Sequence, residues 1–319
     1  MFILRFDFRL GPQSSASMSE LYAASLEMCE WGEANGAMLG LFSEHHTSSD
    51  GYLPSPLVMA GAAAARTSTL GINVGALLAL MYDPVKLAED MVVLDHLSQG
   101  RVTYTVGLGY RDEEFSMFGV DPARRGALMD ERLDVLTRAL RGERFEWDGR
   151  TIEVTPAAFS PGGPTVMYGG GSPAAARRAA RLGMMFIPQH SDPALADAYD
   201  EAAVAAGNPP GMCMSPGEGS PTSLFVADDP DSAWAELGEH LLHDAHMYAE
   251  WMGGADSLSK STAATVDDLR AENGAYRIVT LDEARALRDQ YGVLSLQPLC
   301  GGIPPQTAWR YLRNLEQLG

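Results

Sequence analysis

Residues 70–121 read LGINVGALLALMYDPVKLAEDMVVLDHLSQGRVTYTVGLGYRDEEFSMFGVD. Residues 71–80 are mostly apolar and are interpreted as a strand, and a further strand follows at 102–106, where Val, Thr and Tyr predominate. Between them, Pro84 suits the first turn of a helix that continues to Leu97. A strand, a helix and another strand in succession predict a parallel βαβ unit.

The same alternation of strand and helix patterns extends over nearly the whole chain. We expect eight strands, at residues 2–8, 37–42, 71–80, 102–106, 165–168, 184–188, 223–226 and 293–297. An eight-stranded parallel barrel typically takes about 250 residues plus insertions, and this chain has 319. The predicted fold class is therefore α/β, a single (β/α)8 TIM barrel domain over residues 1–319 with insertions.

Two segments interrupt the alternation. Residues 143–163 contain FEWDGRTIEV, which has the pattern of a hairpin around Asp148-Gly149, and we interpret them as an excursion from the barrel. Residues 252–274 are rich in Ser, Thr, Gly and Asp and lack apolar periodicity. This composition fits a lid over the site and a disordered insertion equally well.

The bulk composition disfavours several classes of partner. The formal net charge is −19, from 42 acidic and 23 basic residues, and such a surface repels nucleic acids and anionic membranes. No apolar run is long enough for a transmembrane helix. Cys29, Cys213 and Cys300 are widely spaced and form no CxxC pattern, so we expect a reduced, cytoplasmic protein.

One group of histidines has the wrong spacing for a metal site. His240, His243 and His246 are three residues apart in a helical segment, so they spread over about 120° of the helix surface. No carboxylate-rich segment accompanies them. We therefore expect no bound metal.

Glu44-His45-His46 begins where the second predicted strand should end. In barrels of this kind the carboxyl ends of the strands face the active site. A neutral imidazole can accept or donate a proton near physiological pH, which makes His45, His46 and Glu44 catalytic candidates. The alternative is one structural, hydrogen-bonded histidine beside one that faces solvent, and the two interpretations have similar weight.

Two glycine-containing segments are candidates for cofactor binding. Gly75-Ala76-Leu77-Leu78, near the end of the third strand, leaves space for a flat ring against the backbone, although most such runs are simply core. Gly169-Gly170-Gly171-Ser172 lies between a strand and a helix. There, backbone N–H groups and the helix dipole favour phosphate, unless the segment is only a turn.

Three further polar residues are candidates at the same end of the barrel. Arg125, near the start of a helix, could supply a guanidinium group to that phosphate, although paired surface arginines are usually only solvated. Gln189 and His190 follow the sixth predicted strand and could contact a cofactor or a substrate.

Taken in order, these segments resemble the bacterial luciferase-like monooxygenase family. The resemblance covers most of the chain and is densest over residues 37–126. It is carried by Glu44-His45-His46, by Asp83-Pro84-Val85, by LDHLSQGR at 94–101 and by FGVD at 118–121. This ordered set is far more specific than any one of its parts.

The resemblance implies a cofactor and roles for several residues. The cofactor would be reduced FMN or, in one branch of the family, a reduced 8-hydroxy-5-deazaflavin. His45 aligns with the family's catalytic histidine, and residues 76–78 would lie against the ring, where family members have a non-proline cis peptide bond. Gly107 stands where luciferase has a reactive cysteine near the flavin. Leu108 stands where luciferase has an arginine, so Arg125 would have to serve the phosphate.

The resemblance also implies a reaction and partners. The leading hypothesis is a two-component monooxygenase in a homodimer, which takes reduced FMN from a separate flavin reductase and uses molecular oxygen on a small organic substrate. A deazaflavin-dependent hydride-transfer enzyme is the second hypothesis. A flavin-binding but inactive homologue is the third.

Overall fold

The computed structural model describes residues 1–253 and 256–318. In chain order its strands are β1 (Phe2–Phe6), β2 (Ala37–Phe42), β3 (Gly71–Leu78), β4 (Val102–Gly107), β5 (Phe145–Trp147), β6 (Arg150–Ile152), β7 (Val166–Gly170), β8 (Phe186–Pro188), β9 (Ser223–Val226), β10 (Tyr276–Val279) and β11 (Leu294–Leu296). Strands β5 and β6 form an antiparallel hairpin. The others form one parallel sheet in the order β10-β9-β11-β1-β2-β3-β4-β7-β8.

Helices connect the strands of the main sheet. They are α1 (Met18–Ala34), α2 (Pro56–Arg66), α3 (Pro84–Ser98), α4 (Asp112–Met117), α5 (Arg125–Leu140), α6 (Pro173–Arg181), α7 (Pro193–Ala206), α8 (Pro230–Met252), α9 (Val266–Glu272), α10 (Leu281–Tyr291) and α11 (Pro305–Leu312). Of the helices that the structure describes, none is long and apolar enough to cross a membrane.

The first strand pairs in parallel with both the second strand and the last. This pairing places the last strand of the chain beside the first, as in a (β/α)8 barrel, and the edge strands of the sheet are β10 and β8. The predicted α/β class is confirmed, and all eight predicted strands are present. The sheet also contains β10, which was not predicted and which pairs with β9.

Alternate residues of β1 face different surroundings. Phe2 and Leu4 are buried against α1, where Phe2 packs on Trp31 and Leu4 lies beside Gly32. Ile3 and Arg5 point the other way, are half-buried and line a cavity inside the ring of strands. The period of two thus separates a helix-facing core from a cavity-facing wall.

One strand ends earlier than expected, and the predicted hairpin is present. Strand β3 ends at Leu78, and residues 79–81 form a turn of 3-10 helix. The predicted hairpin within 143–163 is present as β5 and β6.

The segment 252–274, for which a lid and a disordered insertion were equally expected, contains α9, which begins with a capping box between Thr265 and Asp268. Ser257, Leu258 and Ser259 of this segment line the cavity. Residues 254 and 255 of the predicted lid, and residue 319 of the predicted domain, lie outside the described residues.

Candidate functional site

A cavity of about 1140 Å³ opens at the carboxyl ends of the strands. Most of the predicted site residues line it. They are Glu44, His45, Gly75, Ala76, Leu78, Gly107, Arg125, Gly169, Gly170, Gly171, Ser172 and Gln189. The histidine motif and the glycine loop, more than 100 residues apart in the chain, therefore share one cavity.

Three predicted site residues do not contribute to this wall. Leu77 is fully buried in the core. His46 turns its ring towards Phe118, at 4.6 Å between ring centroids, and its Nε2 lies 3.1 Å from Glu44 Oε1. His190 lies behind the glycine loop, where its Nε2 is 3.2 Å from the carbonyl oxygen of Gly171.

His45 is held by hydrogen bonds at both ring nitrogens. Its Nδ1 lies 2.8 Å from Glu114 Oε1, and its Nε2 lies 3.0 Å from the Tyr110 hydroxyl. Burial lowers the pKa of His45, and the charges of Arg9 and Arg111 act in the same direction, against the hydrogen bond and charge of Glu114. The imidazole is therefore biased towards its neutral form.

Glu114, from α4, stays ionised beside this imidazole. Burial acts to raise its pKa, but the hydrogen bond and charge of His45, the His46 backbone N–H at 2.9 Å and the charge of Arg111 outweigh it, and the pKa is lowered. A carboxylate at this position accepts from Nδ1–H of His45. That tautomer leaves Nε2 as an acceptor, and the Tyr110 hydroxyl donates to it.

Glu44 acts as a structural link as well as a wall residue. Its Oε2 accepts the backbone N–H of Leu78 at 2.6 Å, and its Oε1 accepts from the Tyr82 hydroxyl. Burial and the Glu44 charge raise the pKa of Tyr82, so this phenol remains a donor. Glu44 therefore fixes the end of β3 against the start of the histidine motif.

An aromatic layer covers His45. The Trp251 ring centroid lies 4.8 Å from that of His45, and Tyr52 makes an edge contact with His45 at 4.9 Å. Trp251 is itself packed between the guanidinium groups of Arg9 and Arg111, at 4.1 and 4.2 Å. Such cation–π contacts hold the indole in place, and the layer shields His45 from water.

Arg9 is fully buried and is paired with two nearby carboxylates. Its Nη1 lies 2.7 Å from Asp50 Oδ2, and its Nε lies 2.8 Å from Asp244 Oδ1. His243 Nε2 contacts the same oxygen of Asp50 at 3.0 Å. A buried charge is tolerated when it is paired in this way.

The three helical histidines that the sequence set apart have separate partners. His240 Nδ1 contacts the carbonyl oxygen of Gly301, His243 contacts Asp50, and His246 Nε2 contacts the carbonyl oxygen of Ala263. Within residues 1–253 and 256–318, no group of three potential metal ligands converges.

The opposite wall of the cavity is flat and poor in side chains. The peptide bond Gly75–Ala76 is cis, as the family resemblance implied, and both residues line the cavity. A side chain at Gly75 would place its Cβ 2.3 Å from Asn73 Oδ1, and one at Gly107 would meet the Cβ of Ala76 at 3.0 Å. A planar ring can approach the backbone closely on this face.

The far end of the same wall suits an anion. Ser172 caps α6 by accepting the N–H of Ala175, and the start of this helix lines the cavity. Arg125 and Arg178 line it too. Arg178 is tied to Asp130, with Nε 2.7 Å from Oδ1. Arg125 is exposed, donates to the Pro122 carbonyl oxygen at 3.3 Å and lies 6.0 Å from the centroid of the Phe115 ring.

Sequence reasoning missed several residues of this site, among them Tyr110, Glu114, Arg178 and Trp251. Tyr110 and Glu114 lie just beyond the strand end at Gly107, inside the stretch 70–121 quoted above. This position after a strand end could have marked them as site residues. Arg178 lies one turn into the helix that follows the glycine loop, where a cation would be near a bound phosphate. No sequence pattern identifies Trp251 as a site residue, because its position depends on how α8 packs across the barrel.

Comparisons with known proteins agree with this geometry. The family model described as "Luciferase-like monooxygenase" matches residues 3–293. Limonene 1,2-monooxygenase of Rhodococcus erythropolis is 30% identical over 164 residues, which are 46% of this chain and 42% of that protein. The chain spans less than half the length of the curated relatives that it matches. For two further relatives the matched part is 41% and 43% of their length.

Solved structures show the same fold over almost the whole chain. The monooxygenase RslO1 from Streptomyces bottropensis has a TM-score of 0.78 at 24% identity and covers 99% of this chain and 98% of its own. The oxygenating constituent of 3,6-diketocamphane monooxygenase from Pseudomonas putida, solved in complex with FMN, has a TM-score of 0.69 at 18% identity. The match covers 99% of this chain and 96% of that one. The coenzyme F420 dependent tetrahydromethanopterin reductase of Methanopyrus kandleri has a TM-score of 0.66 at 15% identity. The match covers 99% of this chain and 97% of that one.

The match to the family model spans more than nine-tenths of the sequence and includes the histidine motif, the cis peptide and the glycine loop. The chain belongs to the luciferase-like monooxygenase family.

Proposed function

We propose that the protein is a flavin-dependent oxidoreductase, and specifically a monooxygenase that uses reduced FMN and molecular oxygen on a small organic substrate. One observation carries the proposal: His45, paired with Glu114, lines the same cavity as the glycine face and the loop Gly169–Ser172. A proton-transfer group, a flat surface and an anion site are thus combined in one space.

The residues present fit FMN. The ring would lie against Gly75, Ala76 and Gly107, and the phosphate would lie at the start of α6 beside Ser172 and Arg125. When bound, reduced FMN supplies the electrons with which molecular oxygen is activated. We propose that a separate flavin reductase delivers it, as the family resemblance implies.

The chain's own residues would manage protons and water. Neutral His45 holds a lone pair at Nε2 and can accept a proton there, while Glu114 at Nδ1 stabilises the imidazolium that forms. Tyr110 is placed to relay that proton, since burial keeps its hydroxyl protonated by raising its pKa. The aromatic layer of Tyr52 and Trp251 excludes water from the same side.

The second candidate is a deazaflavin-dependent hydride-transfer enzyme. It is favoured by the fold shared with the F420 dependent reductase, and the same flat wall would accept a deazaflavin ring. The third candidate, an inactive flavin-binding homologue, is disfavoured by the intact hydrogen-bonded set of Tyr110, His45 and Glu114.

A cofactor titration separates these candidates. Purified protein is titrated under nitrogen with reduced FMN and with reduced 8-hydroxy-5-deazaflavin, and air-saturated buffer is then mixed in while absorbance is followed. The proposal expects tighter binding of reduced FMN and a rate of oxygen reaction that differs from that of free reduced FMN. Tight binding of the deazaflavin alone would reject it in favour of the second candidate.

We also propose a homodimer. Val58 on α2 and Val93 and Leu97 on the adjacent α3 are exposed to 70%, 59% and 49%. Large apolar side chains grouped on neighbouring helices are typical of a surface that another protein covers, and a second copy of the chain is the simplest such partner.

A further inference from the structure

The cavity continues beneath the glycine face into the interior of the barrel. Arg5 pairs in register with Leu41, and Leu41 pairs with Asn73, two residues before Gly75. All three residues line the cavity. Arg5 therefore lies in the layer of interior side chains directly below the wall where the flavin ring is proposed to bind.

Arg5 has few hydrogen-bond and ion-pair partners for a guanidinium group that lines an interior cavity. Its Nη1 donates to the backbone oxygen of Thr222 at 2.8 Å, and no carboxylate of the described chain lies within ion-pair distance of it. Arg9, four residues later, has two carboxylates within 2.8 Å and three aromatic rings within 4.8 Å. Arg5 lines the cavity without an ion-pair partner among the described residues, whereas Arg9 is ion-paired and does not line the cavity.

Arg5 stays charged. Burial opposes the charge, but the tyrosines Tyr248 and Tyr52 and the carboxyl groups of Asp7 and Asp244 raise its pKa overall. A half-buried guanidinium that lines a cavity, with no carboxylate of the described residues at ion-pair distance, is placed to pair with an anionic ligand. Guanidinium groups match carboxylates because two parallel N–H groups meet two oxygens.

The rest of the interior wall is apolar on several sides. Ile3, Leu39 and Leu41 stand beside and below Arg5, and Met167 and Ile187 line the cavity from β7 and β8. These side chains favour a hydrophobic body. Polar groups cluster near Arg5 instead, where the Ser295 hydroxyl donates to the same Thr222 oxygen at 2.9 Å.

We propose that Arg5 determines substrate specificity by binding a carboxylate group, so that the substrate is an organic acid with an apolar body. The acid group would be held by Arg5 inside the barrel, and the apolar body would extend towards the flavin face near Ala76. The inference rests on the proposed function, since it names the substrate class of the same site.

The test measures binding, so it needs no turnover. Phenylpropionate and its isosteric, uncharged amide are titrated into the full-length protein by calorimetry, with and without FMN. A charge-assisted pairing predicts that wild type binds the carboxylate on the order of tenfold to a hundredfold more tightly than the amide. Equal affinities for the two would overturn the proposal, whatever the flavin titration shows.

Variants then assign the preference to Arg5. Arg5→Met should remove the tenfold to hundredfold advantage of the carboxylate and leave amide binding nearly unchanged. Arg5→Lys keeps the charge but loses the paired N–H groups, so it should retain part of the advantage. Arg144→Met, at an exposed position immediately before β5, is the matched control and should bind like wild type.

The outcomes separate the two proposals. If Arg5→Met or Arg5→Lys keeps the full preference for carboxylate, the role of Arg5 is wrong even though reduced FMN binds. If reduced FMN does not bind while the carboxylate preference depends on Arg5, the proposed function fails and the acid site stands. Should Arg5→Met not fold, the comparison of carboxylate and amide in wild type and in Arg5→Lys still decides.

Discussion

Nδ1 of His45 lies 2.8 Å from Oε1 of Glu114, although 69 residues separate them in the chain. His45 follows β2 and Glu114 belongs to the helix after β4, so the barrel itself brings the two together. The pair fixes which ring nitrogen carries the proton and leaves Nε2 facing Tyr110. Much of the site's proton chemistry follows from this contact.

The charge of Glu114 should raise the pKa of His45. Glu114→Gln keeps the shape and removes the charge that favours the imidazolium, so the His45 titration should move to lower pH. The measurement is a pH titration of the histidine ring signals by NMR, with His45 assigned from the spectrum of His45→Gln. Glu113→Gln, whose side chain is 67% exposed, is the control and should leave the titration in place. A shift to higher pH in Glu114→Gln would contradict the assigned pairing.

His45 should matter for turnover much more than for flavin binding. Removing a general acid–base group typically costs about a hundredfold or more in rate. His45→Gln is therefore expected to lower coupled turnover by about that factor on a substrate that wild type converts, and to keep FMN affinity within about twofold, because other residues form the flavin wall. Steady-state kinetics and flavin fluorescence measure the two effects. His96→Gln, which replaces a surface histidine, should be like wild type; an equal loss of flavin affinity and turnover in His45→Gln would reject the catalytic role.

The sequence predicted the strand ends well and the packing across the barrel poorly. Glu44-His45-His46 and Gly169–Ser172 were found because each follows an apolar run directly, and in a parallel barrel all such ends share one mouth. Trp251 and Arg9 could not be found this way. Their contact at 4.1 Å joins the first strand region to the end of α8, and no periodicity encodes how a helix crosses a barrel.

The sequence also did not predict how neighbouring side chains are oriented. His45 and His46 are adjacent in sequence, yet only His45 lines the cavity, because the chain turns there and sends the two rings to different partners. Strand β10 was missed because its four residues, YRIV, are short and interrupted by an arginine. Short strands carry too few positions for a pattern to identify them.

The glycine loop should tolerate no side chain at Gly170. A Cβ there would lie 2.6 Å from the Cβ of Ala175 and would push the loop away from α6. Gly170→Ala is expected to lose about 1–3 kcal/mol of unfolding free energy and about tenfold in FMN affinity, as the phosphate site distorts. Gly274→Ala is the control, since its Cβ would meet nothing closer than 4.0 Å. Urea denaturation and flavin fluorescence report the two quantities, and an unchanged FMN affinity in a folded Gly170→Ala would place the phosphate elsewhere.

Arg125 should contribute to binding only when the ligand carries a phosphate. Losing one charge-assisted contact to phosphate costs roughly 1.5–3 kcal/mol, or about tenfold to a hundredfold in affinity. Arg125→Gln should therefore weaken FMN by that factor while the affinity for riboflavin, which has no phosphate, stays the same. Fluorescence titrations with both ligands make the comparison, and Arg124→Gln, an exposed neighbour that does not line the cavity, controls for net charge. Equal weakening of FMN and riboflavin would show that Arg125 acts on the ring or on the fold instead.

The proposed homodimer should be disrupted by charge on the exposed face of α3. Val93 is 59% exposed, so Val93→Lys costs the monomer little, whereas a buried ammonium in an interface without a partner is strongly unfavourable. Wild type is expected to run as a dimer by size-exclusion chromatography with light scattering, and Val93→Lys as a monomer or a dimer dissociating at much higher concentration. Val204→Lys on α7, at 66% exposure, changes the charge equally on a different helix and should remain dimeric. A wild-type monomer at all concentrations would refute the dimer, and a fully dimeric Val93→Lys would move the interface away from α3.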